Sequence, residues 1–270
     1  MPTLPDSAAI QTRQLTRTYG DLVALKPLDL TVEPGIIFGL LGPNGAGKST
    51  AIKMLTTLLP PSGGTAEVAG YDIVRDPKSV RRHIGYVPQL LSADGALTGR
   101  ENLLLSARLY RVPKGEQQSR IAEALQFMEI VSAADDLVRT YSGGMIRRLE
   151  LAQAMLHEPR VLFLDEPTIG LDPVARRSVW DRLQELNQRT GMTILLTTHD
   201  MEEAEVLCHR LAILHQGAVA VSGTPDELMT AIGPGATLDD VFVAAAGGAI
   251  EEGGTYRDVR QLRTAVRHRG

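Results

Sequence analysis

The chain has 270 residues, 43% of them apolar, and a formal net charge of −4, which is enough length and apolar content for one large domain with subdomains. The acidic balance offers no diffuse positive field to a nucleic acid, and a single cysteine, Cys208, excludes an internal disulfide framework and reads as a buried structural thiol. No window reaches the ~18 unbroken apolar residues of a membrane span, and residues 1–7 lack the basic and apolar stretches of a secretory leader.

In chain order, β-branched alternation predicts strands over residues 10–19 and 29–33, with a turn at Glu33, Pro34 and Gly35. Residues 36–41, Ile-Ile-Phe-Gly-Leu-Leu, read as a short buried strand that delivers the chain into a glycine-rich loop. A helix is predicted over 48–59, stopped by Pro60 and Pro61, and residues 62–88 read as short strands and turns around Gly63, Gly64, Gly70 and Gly85. From 98 to 139 the apolar spacing becomes helical, through Leu103, Leu104, Ala107 and Leu109, then Ile121, Leu125, Met128 and Leu137, with a break at 112–115. Beyond it the pattern predicts a helix over 143–157, a strand over 161–165, a helix over 174–189, a strand over 193–198, a short helix from 201 and small strands near 211–221. Strands alternating with helices call for a mostly parallel, doubly wound α/β sheet carrying a helical insertion. The tail after Gly247, rich in Gly and Arg, reads as disordered.

The loop Gly42, Pro43, Asn44, Gly45, Ala46, Gly47, Lys48, Ser49 fits G-x-x-x-x-G-K-[ST] and lies between a predicted strand and a predicted helix, the context the motif requires. Its glycines let backbone N–H groups turn toward phosphates at a helix N-terminus, Lys48 reaches the β and γ oxygens, and Ser49, followed by Thr50, can ligate Mg²⁺. No lysine stands in the Asn/Thr-Lys-x-Asp pattern by which guanine is read, so adenine is favoured, with Tyr19 placed to stack on the base.

The apolar run 161–164 ends in Asp165 and Glu166, and in a parallel sheet that end opens onto the phosphate site. Asp165 is suited to hold Mg²⁺ through water and Glu166 to polarise the attacking water. His199 closes the next apolar strand and Gln89 another, so both emerge at the same edge, His199 toward a γ-phosphate and Gln89 toward Mg²⁺ or the water. A second anion-binding turn, Ser142, Gly143 and Gly144, opens a helix far from the first loop in sequence.

Taken in order, the loop at 42, Gln89, Ser142-Gly143-Gly144, Asp165-Glu166, Gly170-Leu171-Asp172 and His199 resemble the ATP-binding subunit of ABC transporters over roughly residues 8–230. The resemblance implies a P-loop NTPase with a RecA-like core, an antiparallel β subdomain and an inserted helical subdomain at about 90–150, followed by an extension over 231–270. It implies that Gln89 is the lever to a membrane subunit, Glu166 the general base, His199 the γ-phosphate switch and Asp172 part of a loop crossing a dimer. It also implies that Ser142, Gly143 and Gly144 face ATP bound by a partner subunit. The commonest signature, Leu-Ser-Gly-Gly-Gln, is altered here at Tyr141 and Met145. With residues 97–103 and 237–242, that variant is similar to the drug-resistance exporter branch of daunorubicin/doxorubicin type. Arg147 and Arg148 read as a solvated helix face.

The function implied is an ATP-hydrolysing, Mg²⁺-dependent motor, a head-to-tail homodimer on the cytoplasmic face of the membrane. It would drive a separate permease that exports a hydrophobic, drug-like compound. Alternatives are an importer subunit, or an ABC-type ATPase with no transport role.

Overall fold

A computed structural model of the chain describes residues 8–247. Strands β1 (Ile10–Tyr19), β2 (Leu22–Val32), β4 (Gly63–Val68) and β5 (Tyr71–Asp72) form an antiparallel sheet in the order β2-β1-β4-β5. A second sheet holds β3 (Ile37–Leu41), β6 (Ile84–Val87), β7 (Val161–Asp165), β8 (Thr193–Thr198), β9 (Arg210–His215) and β10 (Ala218–Gly223) in the order β10-β9-β3-β8-β7-β6. It is parallel throughout except for β10, which runs antiparallel to β9.

Every residue of β3, β7 and β8 is buried, because helices or the antiparallel sheet cover both faces. Strand alternation divides these residues between two apolar cores. Phe38, Leu40, Phe163 and Leu195 point into a core shared with the antiparallel sheet and α1 (Lys48–Leu55). Ile37, Leu41, Leu162, Leu164, Ile194 and Leu196 point into the other. That second core is roofed by α3 (Gly99–Leu109), α4 (Lys114–Phe127), α5 (Gly143–Met155), α6 (Pro173–Thr190) and α7 (Met201–Leu207). Register sets the functional edge: Leu41 pairs with Thr198 and Asp165 with Thr197, so the carboxyl ends of the three central strands are level.

The predicted fold class and most elements are present, and the differences have local causes. The first helix stops at Leu55, short of Pro60, because Thr56 turns its hydroxyl back to the Ile52 carbonyl at 2.8 Å and Thr57 takes a left-handed φ of 62°. The second strand begins at Leu22, well before residue 29, as the partner of β1 in a long hairpin. A short helix, α2 (Pro77–His83), lies where only strands and turns are expected. Its start is written in the sequence: the Asp76 side chain accepts from the Ser79 N–H at 3.2 Å, and Pro77 follows the cap. The helix at 143 ends at Met155, two residues early. Past β10, a capping box between Thr224 and Glu227 opens α8 (Pro225–Ile232), and α9 (Leu238–Gly247) follows. Leu228, Leu238, Val241 and Ala245 are buried in the second core, so the chain up to 247 remains continuous with the domain. The expected disorder after Gly247 lies outside the described residues.

Candidate nucleotide and catalytic site

The loop from Gly42 to Gly47 joins β3 to α1 under tight packing. Gly42 has φ 154°, and a Cβ there would lie 2.4 Å from the Leu214 carbonyl oxygen; at Gly47, φ 104°, it would lie 2.8 Å from that of Ala24. Both positions therefore need glycine on two counts, backbone conformation and space. Gly47 caps α1 without a side chain, leaving the helix start open to an anion, while Asn44 and Gly45 form the exposed rim beside Pro43 and buried Ala46. Lys48 arches back across this loop. Its Nζ donates to the Gly42 carbonyl at 2.7 Å and the Pro43 carbonyl at 3.3 Å and lies 3.3 Å from Glu166 Oε1. Ser49, beside half-buried Thr50, donates from Oγ to Asp165 Oδ1 at 3.0 Å.

Thr197, opposite Asp165 in register, holds both acids. Its hydroxyl donates to Asp165 Oδ1 at 2.6 Å, and its Oγ1 accepts from the Glu166 N–H at 3.0 Å. Glu166 itself has φ 49°, a left-handed conformation uncommon for a residue with a side chain and frequent at functional sites. That turn aims its carboxylate at three donors: Lys48 at Oε1, and Gln89 Nε2 and His199 Nδ1 at Oε2, each at 3.3 Å. Lys48 and Glu166 are almost fully buried, whereas the His199 side chain is 49% exposed and stands at the mouth. Six of the candidate residues, Lys48, Ser49, Gln89, Asp165, Glu166 and His199, thus form one connected cluster built from the ends of β6, β7 and β8 and from α1.

The other candidates stand apart from it. Tyr19 is a 46% exposed ring at the end of β1, with the Arg17 guanidinium 4.6 Å above its centroid. Ser142 is the N-cap of α5, its Oγ accepting from the Met145 N–H at 3.3 Å, and both Ser142 and Gly143 are exposed. Gly144 is buried, and a Cβ on it would meet the Ala175 Cβ at 2.7 Å, so the start of α5 touches the start of α6. Asp172 caps α6, its Oδ1 accepting from the N–H groups of Val174 and Ala175, each at 3.0 Å. The departure at Tyr141 is structural: the ring is buried and its hydroxyl donates to the Ala133 carbonyl, anchoring the turn in the helical block.

The expected solvated arginine face is corrected by the structure. Arg147 is 1% exposed; it donates to the carbonyls of Pro88 and Gln89 and to Glu150. Arg148 is half-buried and donates to the Met128 carbonyl at 3.2 Å. The i, i+3 pairing of Arg147 with Glu150 was a usable signal. Thr197 and Glu203 are further residues that spacing alone does not reveal. Glu203 is buried behind the acids and accepts from Thr168 Oγ1 at 2.6 Å and Trp180 Nε1 at 2.9 Å, and burial raises its pKa.

A family model described as ABC transporter matches residues 25–169, a stretch that contains the phosphate loop, Gln89, the signature turn and both acids. The daunorubicin/doxorubicin resistance ATP-binding protein DrrA of Streptomyces peucetius is 46% identical over 225 residues, 83% of this chain and 68% of that protein. The Nod factor export ATP-binding protein I of Paraburkholderia xenovorans (strain LB400) is 44% identical over 222 residues, 82% of this chain and 73% of that protein. Among solved structures, a dimeric ATP-binding cassette in a post-hydrolysis state with ADP and Pi matches with a TM-score of 0.72 at 28% identity, over 80% of this chain and 98% of that one. The converging phosphate loop and acids agree with these matches, and the chain belongs to the ABC transporter family, as an ATP-binding subunit that hydrolyses ATP.

Proposed function

We propose that this chain is the motor of an exporter, working as a head-to-tail homodimer in which each ATP lies between the phosphate loop of one copy and the signature turn of the other. The observation that carries it is the pairing, in one chain, of a single converged nucleotide cluster with an exposed signature turn, Ser142 and Gly143, that takes no part in that cluster. Tyr19 would stack on adenine, and the residues around Asp172 would cross to the second copy.

Within the site, Lys48 exchanges its loop carbonyls and Glu166 for β and γ oxygens, as backbone N–H groups of residues 43–50 close around the phosphates. Freed of Lys48, Glu166 accepts a proton from the attacking water, which Gln89 orients, and His199 contacts the γ-phosphate from the mouth. The oxygens of Ser49 and Asp165, with Gln89 close by, suit a hard cation. With so few protein oxygens there, phosphate and water would have to complete the shell of Mg²⁺. Bound there, Mg²⁺ would neutralise charge across the phosphates.

Among the described residues no helix is long and apolar enough to cross a membrane. A separate permease would supply the path, with this chain peripheral on its cytoplasmic face. Relatives named for daunorubicin/doxorubicin resistance and for Nod factor export support outward transport, and the compound carried would be hydrophobic and drug-like. Co-purification with the permease and ATPase assays across candidate drugs test this: stimulation by the exported compound is expected, and stimulation only by a substrate-loaded binding protein overturns export. Glu166→Gln should keep ATP binding, cut hydrolysis about 10²- to 10⁴-fold and accumulate an ATP-bound dimer; wild-type turnover would remove Glu166 as the base.

A further inference from the structure

The buried pair Arg147 and Glu150 does more than fill α5. One guanidinium nitrogen of Arg147, Nη1, donates to the Pro88 carbonyl at 2.8 Å and to Glu150 Oε2 at 3.0 Å, and the other, Nη2, donates to the Gln89 carbonyl at 2.9 Å. Glu150 Oε1 accepts from the Ser92 N–H and, at 3.0 Å, from the Ser92 hydroxyl. The loop 88–92 is therefore gripped on both sides of Leu90, which is 81% exposed at its tip. Arg147 and Glu150 are 1% and 3% exposed, so these charge-assisted bonds have almost no water to compete with them.

Gln89 is the joint in this arrangement. Its side chain donates to Glu166 Oε2, while its main-chain oxygen is held by Arg147. Arg147 lies four residues, about one helical turn, beyond Gly143 at the exposed start of α5. The path from the acid at the end of β7 to the signature turn is thus Glu166, Gln89, Arg147 and one turn of helix. Among the described residues, Arg147 and Glu150 supply the hydrogen bonds from α5 to loop 88–92. We propose that Arg147, backed by Glu150, is a positioning residue that fixes the signature turn relative to the chain's own Glu166. The half-site offered to the second copy and the half-site used at home then move as one body. The inference rests on the head-to-tail reading, since only in that arrangement does the place of Ser142 and Gly143 affect hydrolysis.

Removing Arg147 alone would strand a buried glutamate, so the decisive variant replaces both partners, Arg147→Met with Glu150→Met, which keeps volume and leaves no unpaired charge. Full-length protein is assayed for equilibrium ATP binding, for kcat and KM, and, in the Glu166→Gln background, for ATP-dependent dimer by light scattering. The double variant is expected to bind ATP as the wild type does, with KM unchanged. Its kcat should fall about tenfold through misplacement of the opposing turn, and its dimer fraction should fall in step. Arg147→Lys, which keeps the charge but lacks the fork that spans two carbonyls, should fold and recover only part of kcat; it decides the matter if the double variant does not fold. A wild-type kcat in whichever of these variants is folded overturns the clamp. So does a loss of ATP affinity equal to the loss of turnover, which would mark a general packing role. If Glu166→Gln alone forms no dimer with ATP, the head-to-tail reading fails and the clamp with it; a normal trapped dimer with an insensitive clamp variant removes the clamp only.

Discussion

The cluster around Glu166 and the start of α5 both present groups suited to phosphate, yet they are built in opposite ways. In the first, side chains from the ends of β6, β7 and β8 and from α1 turn inward and converge: Lys48, Gln89 and His199 all reach a single carboxylate. In the second, Ser142 and Gly143 face out, and Tyr141, Arg147 and Glu150 are buried behind them. A site closed within one chain spends its polar side chains on contact. A turn of the kind proposed to serve a second copy uses them to fix its backbone in space.

The sharpest way to break this contrast is to fill the outward turn. Ser142→Arg places a long side chain where the opposing phosphate would lie, while touching none of the groups around Glu166. Turnover should fall about 10²-fold or more, whereas ATP affinity of the monomer should hold. Loss of monomer ATP binding, measured by equilibrium dialysis, would show that the turn serves its own chain's nucleotide.

A smaller effect is expected at Gly144, whose missing Cβ lets α5 meet Ala175 at the start of α6. Gly144→Ala introduces an overlap at 2.7 Å against a side-chain carbon and should destabilise the fold by about 1–3 kcal/mol. Ala175→Gly in the same chain should restore both the urea midpoint and turnover. If the double variant stays as unstable as the single one, close approach of the two helices is not what glycine provides here.

The two regions were unequally legible in the sequence. The runs 161–164 and 194–196 are apolar at every position because helices and the antiparallel sheet bury both faces, so the strands and the acids that follow the first of them stand out. The phosphate loop is local and carries its own pattern. Thr197 did not stand out, because a β-branched hydroxyl residue is ordinary in a strand and its task comes from the register that sets it opposite Asp165. Arg147 was misread because an amphipathic pattern reports which residues are apolar, and α5 is buried on nearly all sides, with its polar residues facing a loop from a distant part of the chain. Short α2, all but Val80 exposed or half-buried, announced itself only through Asp76 and Pro77.

The smallest predicted effect concerns how the far end of the signature helix is tied down. Just past the end of α5, His157 stacks on Tyr110, which follows α3, with ring centroids 3.9 Å apart and an interplanar angle of 2°. Its Nε2 donates to the Ile84 carbonyl at 2.9 Å, while Nδ1 is buried without a partner. Protonation would place a hydrogen on Nδ1 with nothing to receive it and a charge near Arg120, so burial first, and the neighbouring positive groups after it, lower the pKa to about 4. An unfolded chain takes up this proton near its ordinary value of 6.5, and the native one does not. The stabilisation is therefore complete above pH 6.5 and is lost as pH falls from about 6.5 to about 4. With partial exposure discounted, it amounts to about 1 kcal/mol between pH 7 and pH 5. His157→Phe keeps the stacking and removes the titration, so its urea midpoint should fall less than that of the wild type over this interval. Equal falls in the two proteins would mean that the acid sensitivity arises elsewhere and that the anchor of α5 at His157 is pH-neutral.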